Sequence, residues 1–79
     1  MQRNGYIVRE TEKAVAFVLQ GEHTGEVKPM WIPAKKIQGR QELDSYSPSI
    51  QVAGEGVRRL GLPVNLEVDT AFLERIGVA

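Results

Sequence analysis

The sequence predicts a mainly β (α+β) fold: a small antiparallel sheet or barrel, of SH3-like or OB-like size, with one short C-terminal helix. Three observations predict it. Strand formers gather in short runs at Tyr6–Val8, Ala14–Leu19, Val27–Ile32 and Val64–Val68. Glycine, proline and polar residues punctuate the intervals between those runs. Apolar residues at helical spacing, Phe72, Leu73 and Ile76, close the chain.

Taken in order, Tyr6-Ile7-Val8-Arg9-Glu10 reads as a first strand, and the polar Thr11-Glu12-Lys13 turns the chain. Ala14 to Leu19 is apolar on both faces, with Val15, Phe17 and Leu19 on one and Ala14, Ala16 and Val18 on the other. A strand of that kind belongs in the middle of a sheet, and its short length and β-branched content argue against a helix. Gly21 to Glu26 is a turn, and Val27 to Ile32 then reads as a third strand forming a hairpin with the second. Pro29 lacks an N–H for the ladder, which predicts an edge strand or a bulge. Pro33 ends that strand and can open one helical turn through Ile37.

Within a single small domain spanning 1–79, the stretch 38–63 reads as an irregular insertion, broken by Gly39, Asp44, Ser45, Ser47, Pro48, Ser49, Gly54, Gly56 and Gly61. Ile50 and Val52 suggest a short strand there, and Val57 to Leu60 a helical turn. Val64, Leu66 and Val68 alternate with Asn65, Glu67 and Asp69 as a half-buried strand does. Asp69 suits a helix N-cap, where its carboxylate satisfies a free amide for about 1 kcal/mol. The helix runs from Thr70 to Ile76, with Phe72, Leu73 and Ile76 packed on the sheet. Gly77 fits the left-handed position that ends it, and Val78 folds back as the accompanying apolar contact.

Composition narrows function by exclusion. The chain has 79 residues and no cysteine, so neither disulfides nor thiolate chemistry is available. Ten basic and ten acidic side chains give a net charge of zero, whereas proteins that bind mainly phosphates carry a basic excess. The basic residues Lys28, Lys35, Lys36 and Arg40 nevertheless fall in a stretch without acids, so a modest basic face is one reading and a solvated surface the other. The N-terminus is not followed by a signal-peptide core, and the run from Ala14 to Leu19 is too short to cross a bilayer. These features suit a cytoplasmic protein without a membrane partner.

Catalytic groups are hard to find. His23 is the sole histidine and reads as an exposed turn residue, since a metal site needs several ligands. No nucleophile elbow or phosphate loop is present, and Glu42 and Asp44 read as solvated loop acids. The expectation is a protein with no enzymatic activity, no cofactor and no metal. The segment with most character is Met30 to Lys36, which contains the single tryptophan. On a strand Trp31 shares a face with Val27 and Pro29, while Met30 and Ile32 face the other way. Trp31 is then either a core residue or an exposed stacking residue flanked by Lys28 and Lys35. Tyr46, among polar residues, reads as exposed, and the adjacent Arg58 and Arg59 only weakly suggest a clamp. The candidate binding residues are thus Trp31, Lys28, Lys35, Lys36, Arg40, Tyr46, Arg58 and Arg59.

Trp31-Ile32-Pro33 with basic residues after it, and the closing strand and helix from Leu66 to Val78, resemble a loose group of small bacteriophage and prophage accessory proteins. Ala34 stands where that group more typically has lysine, and the stretch 38–63 departs from it. The resemblance implies a phage or mobile-element origin and work in the host cytoplasm. The leading expectation is a module that binds a host protein complex, such as an anti-CRISPR-like inhibitor of host defence. One alternative is a single-stranded nucleic-acid binder using Trp31 and the nearby lysines and arginines. The other is a self-associating structural component of the phage.

Overall fold

A computed structural model describes residues 1–77; the expected fold-back of Val78 lies outside the described residues. The fold is mainly β. Eight strands precede one helix: β1 (Gln2–Glu10), β2 (Ala14–Leu19), β3 (Glu26–Val27), β4 (Met30–Pro33), β5 (Ile37–Glu42), β6 (Ser49–Val52), β7 (Arg58–Leu60), β8 (Leu62–Val68) and α1 (Thr70–Arg75). Five of them form a sheet in the order β4-β2-β1-β8-β5, antiparallel at every step. The other three form a small sheet in the order β3-β6-β7.

The five-stranded sheet is rolled. Its two edge strands, β4 and β5, are consecutive in the chain and joined only by a 3-10 turn at Ala34–Lys36. In a flat sheet those edges would stand about 19 Å apart, four spacings of about 4.8 Å. A turn rising about 2 Å per residue cannot bridge that gap. A second observation agrees. Arg40 lies opposite Leu66, and Leu66 opposite Arg3, so Glu10 sits far along β1 from the level of Arg40. Arg3 to Glu10 would span about 23 Å along a straight strand. Yet Arg40 Nη1 donates to Glu10 Oε2 at 2.8 Å. β1 bends to allow this, helped by a bulge between Ile7 and Arg9 that increases local twist.

The 3-10 turn is fastened at both ends: Ala34 N–H donates to the Lys13 carbonyl at 2.7 Å, and Asp69 N–H to the Lys36 carbonyl at 2.9 Å. Pro33 caps the turn and also belongs to β4, so the strand runs one residue further than its proline suggests.

Two cores result, one on each face of the β1–β2 hairpin. Inside the roll, Ile7, Val15, Phe17, Ile32, Val64, Leu66 and Val68 pack with Leu73 of α1. On the other face, Tyr6, Val8, Ala16 and Val18 meet Ile50 and Val52 of β6. The doubly apolar character of Ala14–Leu19 is explained: β2 is covered on both sides.

The stretch 38–63 is therefore not an irregular insertion. It holds most of β5, all of β6 and β7, and the start of β8, and it supplies the layer that closes the second core. Pro48, Gly54, Gly56 and Gly61 fall between strands, whereas Gly39 lies within β5 and Pro63 within β8; Gly54 and Gly56, at φ +81° and +68°, shape the turn between β6 and β7. The helical turn expected at Val57–Leu60 is strand β7. A second correction concerns Val27–Ile32, which is two strands. Val27 pairs parallel with Val52 in the small sheet, whereas Met30–Pro33 pairs with β2 in the large one. Lys28 and Pro29 carry the chain from one sheet to the other, since proline interrupts the ladder there.

The terminal helix forms as its signals predict, though shorter. Asp69 Oδ1 accepts from the Ala71 N–H at 3.0 Å, and Gly77 takes φ +79°. Leu73 is buried and Phe72 packs partly against the core. Ile76, expected on the packed face, is the residue that ends α1 and is 40% exposed. His23 is another correction. It is half-buried, its ring edge-on to Tyr6 at 5.2 Å between centroids.

Candidate functional site

The alternation of β4 places its side chains on two faces. Ile32 is fully buried inside the roll, so Trp31 turns outward and is 47% exposed. The core reading of Trp31 is overturned. On β2, Ala16 lies opposite Trp31, and Ala14 opposite Pro33. These alanines face the same way as the indole and are too small to cover it. The β6–β7 layer covers β1 and β2 on this side. Between that layer and Trp31 lies an open groove of about 260 Å³. Val8 and Ala16 line it with Trp31 and Pro29 from one side and Val52 and Ala53 from the other.

Charge is organised around this groove. Arg9 and Lys28 line it, as does Glu55 from the turn after β6. Glu55 Oε1 accepts from Arg59 Nη2 at 2.7 Å and Nε at 3.2 Å, and also from Arg9. The Arg59 hydrogen bond holds the Glu55 carboxyl below its ordinary pKa; desolvation opposes it as the next largest effect, and the fields of Arg59 and then Arg9 add to the lowering. Glu55 thereby clamps the turn to both β1 and β7. Lys28 makes no ion pair among the described residues, and it also lines a second groove of about 310 Å³ with Phe17, Leu19, Glu22 and Met30.

The candidate residues divide accordingly. Trp31 and Lys28 meet at the groove, and Arg59 reaches its rim through Glu55. Lys35 is exposed on the 3-10 turn, beside Lys13 and Pro33, further along the same strand edge. Lys36 is turned to Asp69 at 3.8 Å. Arg40 is held on β5 by Glu10 at 2.8 Å and Glu42 at 3.2 Å; the Glu10 hydrogen bond raises its pKa and keeps the guanidinium charged. Tyr46 is 75% exposed between β5 and β6, and Arg58 is exposed on β7. The structure thus gathers part of the set and scatters the rest.

Arg9, Ala16, Ala53 and Glu55 were not legible as site residues. The small alanines of β2 were the available signal, since a strand that is small beside a tryptophan leaves the ring uncovered. Among the described residues no three His, Asp or Glu side chains converge as a metal cluster would, and no helix is long and apolar enough to cross a membrane.

What the fold and groove define is a class: a small, mainly β domain with an exposed aromatic on an edge strand beside a charged groove. Beyond that class, no family model, curated protein or solved structure matches the chain.

Proposed function

We propose that this protein is a non-enzymatic binding module that holds a protein partner at the groove beside Trp31. The observation that carries the reading is the exposed indole on a floor of small apolar side chains, with Lys28, a cation without an ion pair among the described residues, at its edge. Tryptophan in such a setting offers large apolar area and one donor at low entropic cost, the common composition of a protein-binding hot spot. The resemblance to phage accessory proteins supports a host protein complex as the partner, and inhibition of a defence complex in the host cytoplasm as the consequence.

Single-stranded nucleic acid is the second reading, favoured by Lys28 and Lys35, which make no ion pair among the described residues and stand on either side of Trp31. Charge pairing weighs against it. Of the cations it needs, Lys36, Arg40 and Arg59 are engaged by carboxylates, and Glu22 and Glu55 line the two grooves that Lys28 adjoins. A phosphate backbone would meet those carboxylates.

Affinity capture from a bacterial lysate, run with wild type and Trp31→Ala as parallel baits, tests the proposal. One protein or complex retained by wild type and lost by a folded Trp31→Ala bait is the expected result. Salt-sensitive binding of a labelled single-stranded oligonucleotide, abolished by Trp31→Ala, would transfer the groove to the second reading. Retention of the same proteins by both baits would remove Trp31 from the site.

A further inference from the structure

We infer that the partner engages through an extended peptide segment, added as a short strand to the open edge of β4 in register with Trp31, on the side of the indole away from the groove floor, with an acidic side chain meeting Lys28. This rests on the protein-binding reading and names the form the partner takes.

The backbone carries the first argument. β4 is the terminal strand of its sheet, paired with β2 alone. The Thr11 N–H donates to the Ala14 carbonyl, and the Ala14 N–H to Thr11 Oγ1, so the peptide groups of Ala14 face β1. Groups two residues apart on a strand face the same way, which turns those of Val15 and Phe17 toward β4. The Lys13 carbonyl, accepting from Ala34, has that same phase. Val15 lies opposite Ile32 and Phe17 opposite Met30, so Ile32 and Met30 spend their backbone groups on β2. Trp31 and Pro33 direct theirs away from the sheet. Pro33 has no N–H, and its carbonyl opens the 3-10 turn at Ala34–Lys36, so this edge offers one donor and one acceptor, both on Trp31.

That pattern is selective. Proline blunts the edge against extended pairing with other strands. What remains is one residue able to exchange both backbone hydrogen bonds, and it is the residue whose side chain walls the groove. A partner residue opposite Trp31 would donate to its carbonyl and accept its N–H. So short a ladder needs side-chain contacts to hold it, and strand addition normally divides the work in this way.

Charge supplies the second argument. Glu55 is shared by Arg9 and Arg59, leaving the groove with more cationic than anionic groups once Lys28 is counted. Lys13 and Lys35 continue the cationic edge past Pro33, with Glu12 the carboxylate among them. A segment bearing acidic residues beside apolar ones complements this edge.

The test uses a displayed library of random twelve-residue peptides, selected on the full chain at low salt and counter-selected on Trp31→Ala. A selected peptide is then remade with each backbone nitrogen methylated in turn. Acidic peptides are expected, weakened about tenfold by Lys28→Glu, with methylation costing about tenfold at the one nitrogen that donates to the Trp31 carbonyl and little at its two neighbours. A peptide that depends on Trp31 and Lys28 but tolerates methylation throughout would overturn strand addition and leave the groove reading intact. Methylation sensitivity without Lys28 dependence would overturn the acidic partner. A selection that enriches no Trp31-dependent peptide, while lysate capture remains Trp31-dependent, would overturn the inference in favour of a folded partner surface.

Discussion

Ile50→Ala is the substitution that bears most directly on the architecture. Ile50 is fully buried and packs in the second core with Tyr6, Val8, Ala16, Val18 and Val52. Removing its three outer carbons loses their transfer free energy and leaves a cavity, because strands β1 and β2 are held by the larger sheet and cannot collapse into the space. Substitutions of this kind cost about 2–5 kcal/mol, and a rigid floor beneath the site places this one near 3 kcal/mol. Total stability for a chain of this length is about 4–12 kcal/mol, so a large share of it would go. At about 6 °C per kcal/mol for a domain this small, the midpoint should fall by about 18 °C in a far-UV circular dichroism melt. Leu60→Ala is the control: Leu60 is on the neighbouring strand, 69% exposed, and its loss should move the midpoint by no more than about 3 °C. Two nearly equal, small shifts would mean that β6 and β7 contribute no core, and the two-layer account would be wrong.

Three further outcomes are expected. Asp69→Ala removes the carboxylate that receives the Ala71 N–H and should cost about 1 kcal/mol, read as a midpoint lowered by about 6 °C; an unchanged melt would show that α1 is held by Leu73 alone. Gly5→Ala should destabilise by at least about 1–3 kcal/mol in urea titration, because the new methyl would press on the Val18 carbonyl and lie 2.5 Å from Cζ of the Phe17 ring; a neutral result would place β1 further from β2. Glu55, with its pKa lowered in the fold, stabilises above the ordinary glutamate range and loses that contribution as pH falls through the lowered value. Wild type should therefore melt above Glu55→Gln at neutral pH, with the gap closing as pH falls below the ordinary glutamate range and through the lowered value; a gap independent of pH would assign the effect to packing and not to charge.

Much of the fold follows from short-range chemistry. The alternation of Val64, Leu66 and Val68, the cap at Asp69 and the left-handed Gly77 each depend on residues no more than a few positions away, and each is found where the sequence places it. The strands of 38–63 escape a local reading for a related reason. They are short, and β6 finds one partner in β3, far behind it in the chain, through a parallel pairing that no local turn announces. Gly54 and Gly56 looked like marks of a loop and are marks of a hairpin.

The site divides along the same line. Sequence singled out Trp31 and Lys28, since one tryptophan beside prolines and lysines is conspicuous in a neutral chain. It could not say which face of β4 would be buried, because either set of alternating side chains was apolar enough to enter a core. Rolling of the sheet decided that: Ile32 went inside and Trp31 was left beside Ala16. The same rolling set Arg40 against Glu10, and the second layer set Glu55 between Arg9 and Arg59. Local patterns settled which segments are strands and where the helix begins, because a hydrogen-bonding cap or an alternating face is complete within a few residues. Which cations stay free, and where the indole is exposed, required the whole chain, because those depend on contacts between residues far apart in sequence.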